Sequence, residues 1–466
     1  MTQPVIMWFR QDLRTRNLAA LNAAAAAGEV LCLYIQDDET PETWSIGGAS
    51  RWWLHHSLKA LAKKVKLVLR RGRADHVLAD VLRETGARAI YFTRDYAPWS
   101  AQLEVRVRQL CGLAGAECHR FGGYLLHEPE SIRNGSGEPY KVYTPYSRAC
   151  LAAKEPAVAK AEVSPVMWPG TVRSDHLDEW HLLPAHPNWA KGFEPLWQPG
   201  EIGAHATLDR FIENGLATYA DGRDRPDMAV TSRLSPHLHW GEISPAQCWV
   251  AVRAAAAQAG GRFDASAEKF LKEILWREFS YNILHHWPTL PELPFRAEFS
   301  AFPWRQDQAA LNKWQRGETG YPIVDAGMRE LWATGTMHNR VRMVVASFLT
   351  KHLLISWTEG AKWFWDTLVD ADIASNSASW QWVAGTGADA APYFRIFNPV
   401  LQGEKFDPQG SYVRRWIPEL ANMPLEYLHH PWDLPHSFKY PAPMIEHGFA
   451  RARALQALKQ VKIASV

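Results

Sequence analysis

Short apolar runs alternate with helix-forming segments over the first quarter of the chain. Val5-Ile6-Met7-Trp8-Phe9, Leu31-Cys32-Leu33-Tyr34-Ile35, Lys66-Leu67-Val68-Leu69 and Ala89-Ile90-Tyr91-Phe92 are nearly unbroken hydrophobic stretches, the pattern of parallel strands covered on both faces. Leu18 to Ala27, Trp52 to Lys64 and Asp75 to Thr85 lie between them and favour helix, the last stopped by Gly86. This alternation predicts a doubly wound, Rossmann-like parallel-sheet α/β domain over residues 1–128, with ligands expected at the carboxyl ends of its strands. From 129 to 200 the periodicity dissolves into Pro, Gly, Ser and isolated Trp, as in Ser164-Pro165-Val166-Met167-Trp168-Pro169-Gly170, and predicts a long linker over a surface. Helical periodicity dominates 201–466 and is clearest over Ser266 to His286 and Asn339 to Trp357. The expected class is therefore α/β plus all-α.

Composition narrows the partners more than the fold. The 466 residues are 47% hydrophobic and 21% charged, which is ordinary globular usage and excludes a disordered or fibrous chain. Lys+Arg 51 against Asp+Glu 49 leaves a formal charge of +2, so any nucleic-acid contact has to be a local patch. No uncharged apolar stretch reaches membrane-spanning length, and Met1-Thr2-Gln3-Pro4 lacks the basic start of a signal peptide. Cys32, Cys111, Cys118, Cys150 and Cys248 are odd in number and form no Cys-x-x-Cys; buried free thiols in a cytoplasmic protein are expected. The outlier is tryptophan, 23 in all and 14 of them after residue 200, more than packing alone requires.

Phosphate-loop, His-Glu-x-x-His and Gly-x-Ser-x-Gly signatures are absent. Gly385-Thr386-Gly387-Ala388-Asp389-Ala390 has dinucleotide-loop spacing but follows a helical segment, so it reads as coincidence. His237, His239, His285-His286 and His429-His430 lack a suitably spaced carboxylate or thiolate and read as surface or capping residues, not metal ligands. Three segments carry chemistry instead. Glu273, Trp276, Arg277 and Ser280 share one helical face opposite Leu271, Ile274, Leu275 and Phe279. Asn339, Arg342, Met343 and Ala346 share another, and a guanidinium on an interior-looking stripe needs an anion such as Asp370 or Asp372. Asp372, Asn376 and Trp380 recur every fourth residue. Thr231-Ser232-Arg233-Leu234-Ser235-Pro236 suits phosphate binding or a plain helix N-cap.

The runs Trp276-Arg277-Glu278-Phe279, Thr319-Gly320-Tyr321-Pro322-Ile323-Val324-Asp325-Ala326, Met337-His338-Asn339-Arg340-Val341-Arg342-Met343, Trp380-Gln381-Trp382 and Pro392-Tyr393-Phe394-Arg395-Ile396-Phe397-Asn398-Pro399 closely resemble the DNA photolyase/cryptochrome family, as does the opening Trp8-Phe9-Arg10-Gln11-Asp12-Leu13-Arg14. In detail the chain resembles a class I type enzyme for cyclobutane pyrimidine dimers. The resemblance implies an antenna-type α/β domain, a linker and a helical domain burying FAD, which in its reduced form donates a photoexcited electron to a flipped-out dimer and receives it back. It implies that Tyr219, Thr231, Ser232, Ser235 and Arg277 hold the cofactor, that Arg342 paired with Asp370 lies beside its ring, that Asp372 meets the ring edge, and that Asn376 faces N5. Trp380, Trp357 and Trp304 would carry electrons between flavin and surface. At the lesion, Trp276, Trp382 and Met343 would wall the pocket, Glu273 and Asn339 would donate hydrogen bonds to the base, and Arg223, Arg340, Arg395 and Lys405 would bind phosphates.

A cryptochrome photoreceptor is the rival on the same scaffold. Asn376, where plant-type cryptochromes resemble a pattern with an acid, and the set Glu273, Trp276, Met343 and Trp382 weigh toward repair, as does a tail of only 46 residues after Leu420. A (6-4) photoproduct enzyme would resemble a pattern with histidines at Asn339 and Met343. The resemblance also allows a second antenna chromophore, a folate, a deazaflavin or a flavin. The expected partner is ultraviolet-damaged DNA, bound by a monomer with no membrane contact.

Overall fold

The computed structural model describes residues 3–156, 158, 164–390, 394–434 and 439–464; Met1 and Thr2 of the amino-terminal reading, and Pro392 and Tyr393 of the last motif run, lie outside them. The amino-terminal elements are β1 (Val5–Phe9), α1 (Ala19–Ala27), β2 (Val30–Gln36), α2 (Gly48–Leu61), β3 (Leu67–Arg71), α3 (Ala74–Thr85), β4 (Ala89–Thr93), α4 (Ser100–Ala114) and β5 (Glu117–Phe121). All pairings are parallel, in the order β3-β2-β1-β4-β5. The two-residue period of a strand sends Val5, Met7 and Phe9 into one core with Trp52, Trp53 and Leu58 of α2. Ile6 and Trp8 enter the other with Leu78, Leu82 and Val107 of α3 and α4. Helices on both faces explain why these strands read as continuous apolar runs. Helix α3 ends, as expected, at Gly86 with φ 62°. The sequence pattern missed β5, an edge strand with the sequence Glu-Cys-His-Arg-Phe and little apolar signal.

The segment expected to lie over a surface is more deeply engaged. It carries α5 (Tyr143–Ala152), and Trp168, Trp180 and Trp197 are all buried. Trp180, Phe193 and Trp197 join Trp240 in the core beneath α2. Its ends are fixed by acids: Glu278 accepts the Leu126 and His127 N–H groups at 2.8 and 3.1 Å, and Glu242 accepts the Trp53 indole at 3.0 Å and Gly200 N–H at 2.7 Å.

The remaining helices are α6 (Glu201–Arg210), α7 (Tyr219–Gly222), α8 (Ser235–His239), α9 (Pro245–Gln258), α10 (Asp264–His286), α11 (Gln308–Arg316), α12 (Pro322–Thr334), α13 (Asn339–Ser347), α14 (Trp357–Thr367), α15 (Ile373–Ala384), α16 (Pro399–Phe406), α17 (Ser411–Trp416) and α18 (His447–Ala464). They enclose one large apolar core. The helix expected over Asn339 to Trp357 is not continuous. After Ser347 the chain makes a π turn over Phe348–His352, passes Leu354 at φ 54°, and restarts at Trp357 with the Ser356 hydroxyl as N-cap. The break turns α14 so that Gly360 packs beneath the Trp380 indole of α15, which a Cβ there would overlap.

Among the described residues, no helix is long and apolar enough to cross a membrane, and all five cysteines are free.

Candidate active site

Helix α10 presents the first stripe as its periodicity requires. Glu273 meets Arg223 with Nη2 2.8 Å from Oε2, and burial raises its carboxyl pKa while the Arg223 and Lys269 charges pull it back. One turn on, Trp276 stacks on Tyr143 at 3.6 Å and 6°, which covers one indole face. Arg277 donates from Nη1 to the Tyr124 carbonyl at 3.1 Å, and its guanidinium lies 4.4 Å from the Tyr124 ring centroid and 5.1 Å from that of Tyr281. Its Nη2 is buried without a partner. Ser280 turns back to the Trp276 carbonyl, 3.0 Å away.

The anion expected for Arg342 is Asp370. Nη2 lies 3.2 and 3.0 Å from its two oxygens, and Nε donates to the Met337 carbonyl at 2.7 Å. Ser235 donates to the same carboxylate at 2.6 Å, which draws the Thr231-to-Pro236 turn to α13. That turn is not an ordinary side-chain cap. Leu234 occupies the N-cap of α8 without a side-chain bond, Arg233 has φ 56°, and Ser232 accepts the Leu234 N–H at 3.4 Å. Thr231 and Ser235 are exposed, Ser232 half-buried and Tyr219 buried.

Asp372 caps α15 by accepting Ser375 N–H at 2.7 Å on one oxygen. Its other oxygen accepts the Tyr281 hydroxyl and lies 3.5 Å from His239 Nδ1. Burial alone would raise its pKa, but the hydrogen-bonding contact and charge of His239, then the Arg277 charge and Tyr281 hydroxyl, hold it well below the carboxylate range. One turn later the Asn376 amide donates from Nδ2 to the Ala361 carbonyl of α14 at 3.0 Å, leaving Oδ1 as the acceptor that no described residue uses. Trp380 follows, with its Nε1 buried and unpartnered.

These contacts close a ring. From α10, Tyr281 reaches Asp372; from Asp370, two residues earlier, Arg342 leads into α13; Arg340 of α13 meets Asp224 at 2.9 Å; the adjacent Arg223 returns to Glu273 on α10. The three stripes identified in the sequence are thus one constellation. Met343 and Trp382 are half-buried, Asn339 is exposed at the start of α13, and Arg395 and Lys405 are exposed. Arg223 and Arg340 differ from the latter two, since both are tied to carboxylates. Trp380 packs over Gly360 on the same side of α14 as Trp357, three residues earlier. Arg305 N–H bonds the Leu354 carbonyl at 2.7 Å, holding the half-buried Trp304 beside the segment that leads to Trp357. Trp380 and Trp357 are buried and Trp304 is half-buried.

The histidines correct the reading as surface groups. His237 and His239 are 1% and 3% exposed. His237 bonds Glu242 and His239 faces Asp372, carboxylates that are remote or unperiodic in sequence. No cluster of three or more metal-ligand side chains exists among the described residues. Sequence reasoning also missed Tyr281, Tyr143, Asp224 and His338. The last accepts Arg340 N–H on Nδ1 at 3.2 Å, and burial pushes its pKa down to about 4, so it is neutral. A separate cavity of about 420 Å³, lined by Trp249, Arg253 and Lys154 among others, shares no residue with the ring.

The donor set fits a flavin dinucleotide. Arg277 Nη2, His239 Nε2 and Trp380 Nε1 are buried polar atoms without hydrogen-bond partners, which a native interior rarely leaves unused. Asn376 adds an oriented acceptor and Arg342 a cation.

The family profile described as the FAD binding domain of DNA photolyase matches residues 270–460, and that described as DNA photolyase matches 5–165. A deoxyribodipyrimidine photo-lyase of Agrobacterium fabrum is 48% identical over 99% of this chain and 98% of its own. Cryptochrome-1 of Arabidopsis thaliana is 37% identical over 98% of this chain and 70% of its own. The crystal structure of a class III photolyase from Agrobacterium tumefaciens superposes with a TM-score of 0.94 at 48% identity, covering 99% of this chain and 98% of that one. The class I expectation finds no support in that match.

Proposed function

The chain belongs to the DNA photolyase family, and from that premise we propose that it repairs ultraviolet-damaged DNA in light, taking a cyclobutane pyrimidine dimer as substrate and FAD as cofactor. The high identity to a class III photolyase over the full length favours that class. Residues 1–128 serve as the antenna-type domain, 129–200 as the linker and 201–466 as the catalytic domain, in a cytoplasmic monomer. The observation that carries the reading is the closed ring of Glu273, Arg223, Asp224, Arg340, Arg342, Asp370, Asp372 and Tyr281.

When bound and reduced, FAD supplies the photoexcited electron that splits the dimer and is afterwards returned. The chain's own groups set the conditions for that exchange. Arg342 keeps a cation beside the site even though Asp370 shares it, which favours an anionic cofactor in a dry setting. The Asn376 amide is turned by its bond to Ala361, so Oδ1 accepts a ring N–H and adds no charge of its own. Arg277, His239, Tyr219 and the Thr231, Ser232 and Ser235 hydroxyls hold the rest of the molecule, and the low pKa of Asp372 keeps it an acceptor. The open face of Trp276, with Trp382 and Met343, walls the flipped-out lesion. Glu273 in its protonated form and Asn339 donate to thymine carbonyls and favour the negative charge the dimer carries transiently. Arg395 and Lys405 bind phosphates without reading bases. Trp380, Trp357 and Trp304 would carry electrons from an external reductant at the surface inward to an oxidised cofactor.

Purified protein should show a flavin spectrum and, once reduced, remove thymine dimers from irradiated oligonucleotides in blue light but not in darkness. Glu273→Ala should cut the repair yield severely while retaining flavin. Dimer binding and flavin photochemistry without dimer loss would replace this reading with that of a cryptochrome-type photoreceptor.

A further inference from the structure

Four groups of alternating charge run through the ring: Glu273, Arg223, Asp224 and Arg340. Arg223 is the shared member. Its Nη2 is 2.8 Å from Glu273, while its Nη1 is 3.9 Å from Asp224. Asp224 is held from the other side by Arg340 at 2.9 Å. The Glu273, Arg223, Asp224 and Arg340 side chains are 28%, 14%, 38% and 19% exposed, so Asp224, between the two arginines, is the member most open to solvent. Both arginines have Nε buried without a partner, and the Arg340 guanidinium lies 4.4 Å from the Phe406 ring centroid.

We infer that this ladder is a relay in which a DNA phosphate captures Arg340, Asp224 takes Arg223 in its place, and Glu273, left without its cation, takes up a proton as the lesion binds. The inference rests on the proposed repair function and explains how Glu273 becomes the donor that function needs. As a carboxylate paired with Arg223, Glu273 can only accept hydrogen bonds. An acid carrying a permanent proton would need no relay, and one tied permanently to Arg223 could never donate. The exchange requires Arg223 to move only from one carboxylate toward the next, within a fixed set of partners. The groups facing Glu273 are Arg223 and Asp224 at and after the end of α7, Tyr219 of α7, Lys269 of α10 and Tyr143 of α5. Lys269 and the two tyrosines stay in place, so the departure of Arg223 and the further burial beneath the bases both drive the carboxyl toward its neutral form. Asp224 is a positioning residue in this scheme, acting through Arg223.

The test is calorimetric titration of FAD-loaded protein in darkness near pH 7, using a single-stranded oligonucleotide with one thymine dimer, in buffers of different protonation enthalpy. The slope of apparent enthalpy against buffer enthalpy counts protons. Wild type should take up close to one proton more with the dimer than with the undamaged oligonucleotide, and dimer affinity should fall about tenfold per pH unit on the alkaline side. Glu273→Gln should abolish the extra proton. Asp224→Asn should sharply reduce it while flavin content, which reports folding, is retained. A dimer bound and repaired with no extra proton, or with the same count in Glu273→Gln, overturns the relay and leaves the repair reading standing. Loss of any preference for the dimer overturns both.

Discussion

Replacing Asn376 by Asp tests the site at its most exposed assumption, that a neutral amide is required there. The amide is 8% exposed and donates to the Ala361 carbonyl at 3.0 Å. An ionised carboxylate would set oxygen against oxygen at that distance, lose a hydrogen bond worth about 1 kcal/mol, and leave the carbonyl unsatisfied at a further cost of about 1–3 kcal/mol. Protonation escapes the clash, because the acid can then donate to Ala361 much as the amide does. The folded-state pKa of the new carboxyl therefore rises above its unfolded value near 4. A raised acid pKa gives stability that is fully present below the unfolded value and lost as pH climbs toward the folded one. If the rise is about two pKa units, the variant loses about 2.7 kcal/mol relative to wild type, with the loss developing between about pH 4 and pH 6 and flat above. Denaturant unfolding of the FAD-loaded proteins across that interval measures the difference. A variant that tracks wild type at every pH, or loses stability toward acid, refutes the argument. Repair by the variant should fall strongly at neutral pH, since the charged form disfavours an anionic cofactor.

Gly360→Ala sets a methyl into the six-membered ring of Trp380; it should destabilise the protein by about 1–3 kcal/mol and slow light-driven flavin reduction more than repair by chemically pre-reduced enzyme, two rates that can be followed separately by absorbance. Tyr281→Phe removes a donor to Asp372, whose depressed pKa gives stability present above the ordinary carboxylate range and lost as pH falls through the folded value. The variant should lose about 1.5–3 kcal/mol at neutral pH and release FAD at a less acidic pH, and an unchanged release profile would refute the role. Lys351 is fully buried, donates to the Val383 carbonyl at 3.1 Å, and burial drives its pKa far down. A lysine with a depressed folded pKa costs stability as pH falls below its unfolded value, so Lys351→Met should stabilise by about 1–3 kcal/mol at pH 7, a gain in unfolding free energy that shrinks as pH approaches 10.

What the sequence made legible follows from periodicity. Val5 to Phe9 and the stripes on α10, α13 and α15 are local patterns with a two- or four-residue repeat, and each folds as that repeat requires. Asp370 was foreseeable as the partner of Arg342 because a buried guanidinium demands an anion and few were at hand. The Tyr281–Asp372 and His239–Asp372 contacts were hidden because they join residues some ninety or more positions apart, and no local rule links them. His239 misled for the same reason, since it meets Asp372 only in the fold; His237 meets Glu242 just five residues on, a spacing that no helix or strand repeat marks as a pair. The break after Ser347 was invisible because Phe348 to His352 keeps helical hydrophobicity through the π turn.

The scaffold itself does not separate repair from photoreception, since a plant cryptochrome shares 37% identity over almost the whole chain. Discrimination has to come from groups whose chemistry differs between the two tasks. A receptor needs a light-induced change that persists, whereas a repair enzyme needs an electron that leaves and returns with no lasting rearrangement. Asn376 serves the second requirement, because a neutral amide fixed to a backbone carbonyl neither gains nor loses a proton over the pH range of the cell. The mobile proton lies at Glu273 instead, on the substrate side of the ring and coupled through Arg223 and Asp224 to the surface where DNA would dock. Proton traffic triggered by substrate, with none required at the flavin's own amide, is the arrangement a catalyst needs and a signalling state does not. The two are separable by experiment: transient absorption of the flavin with and without dimer should show the same reduced starting form before and after each turnover, and a long-lived altered flavin in the presence of dimer would contradict the assignment of Asn376.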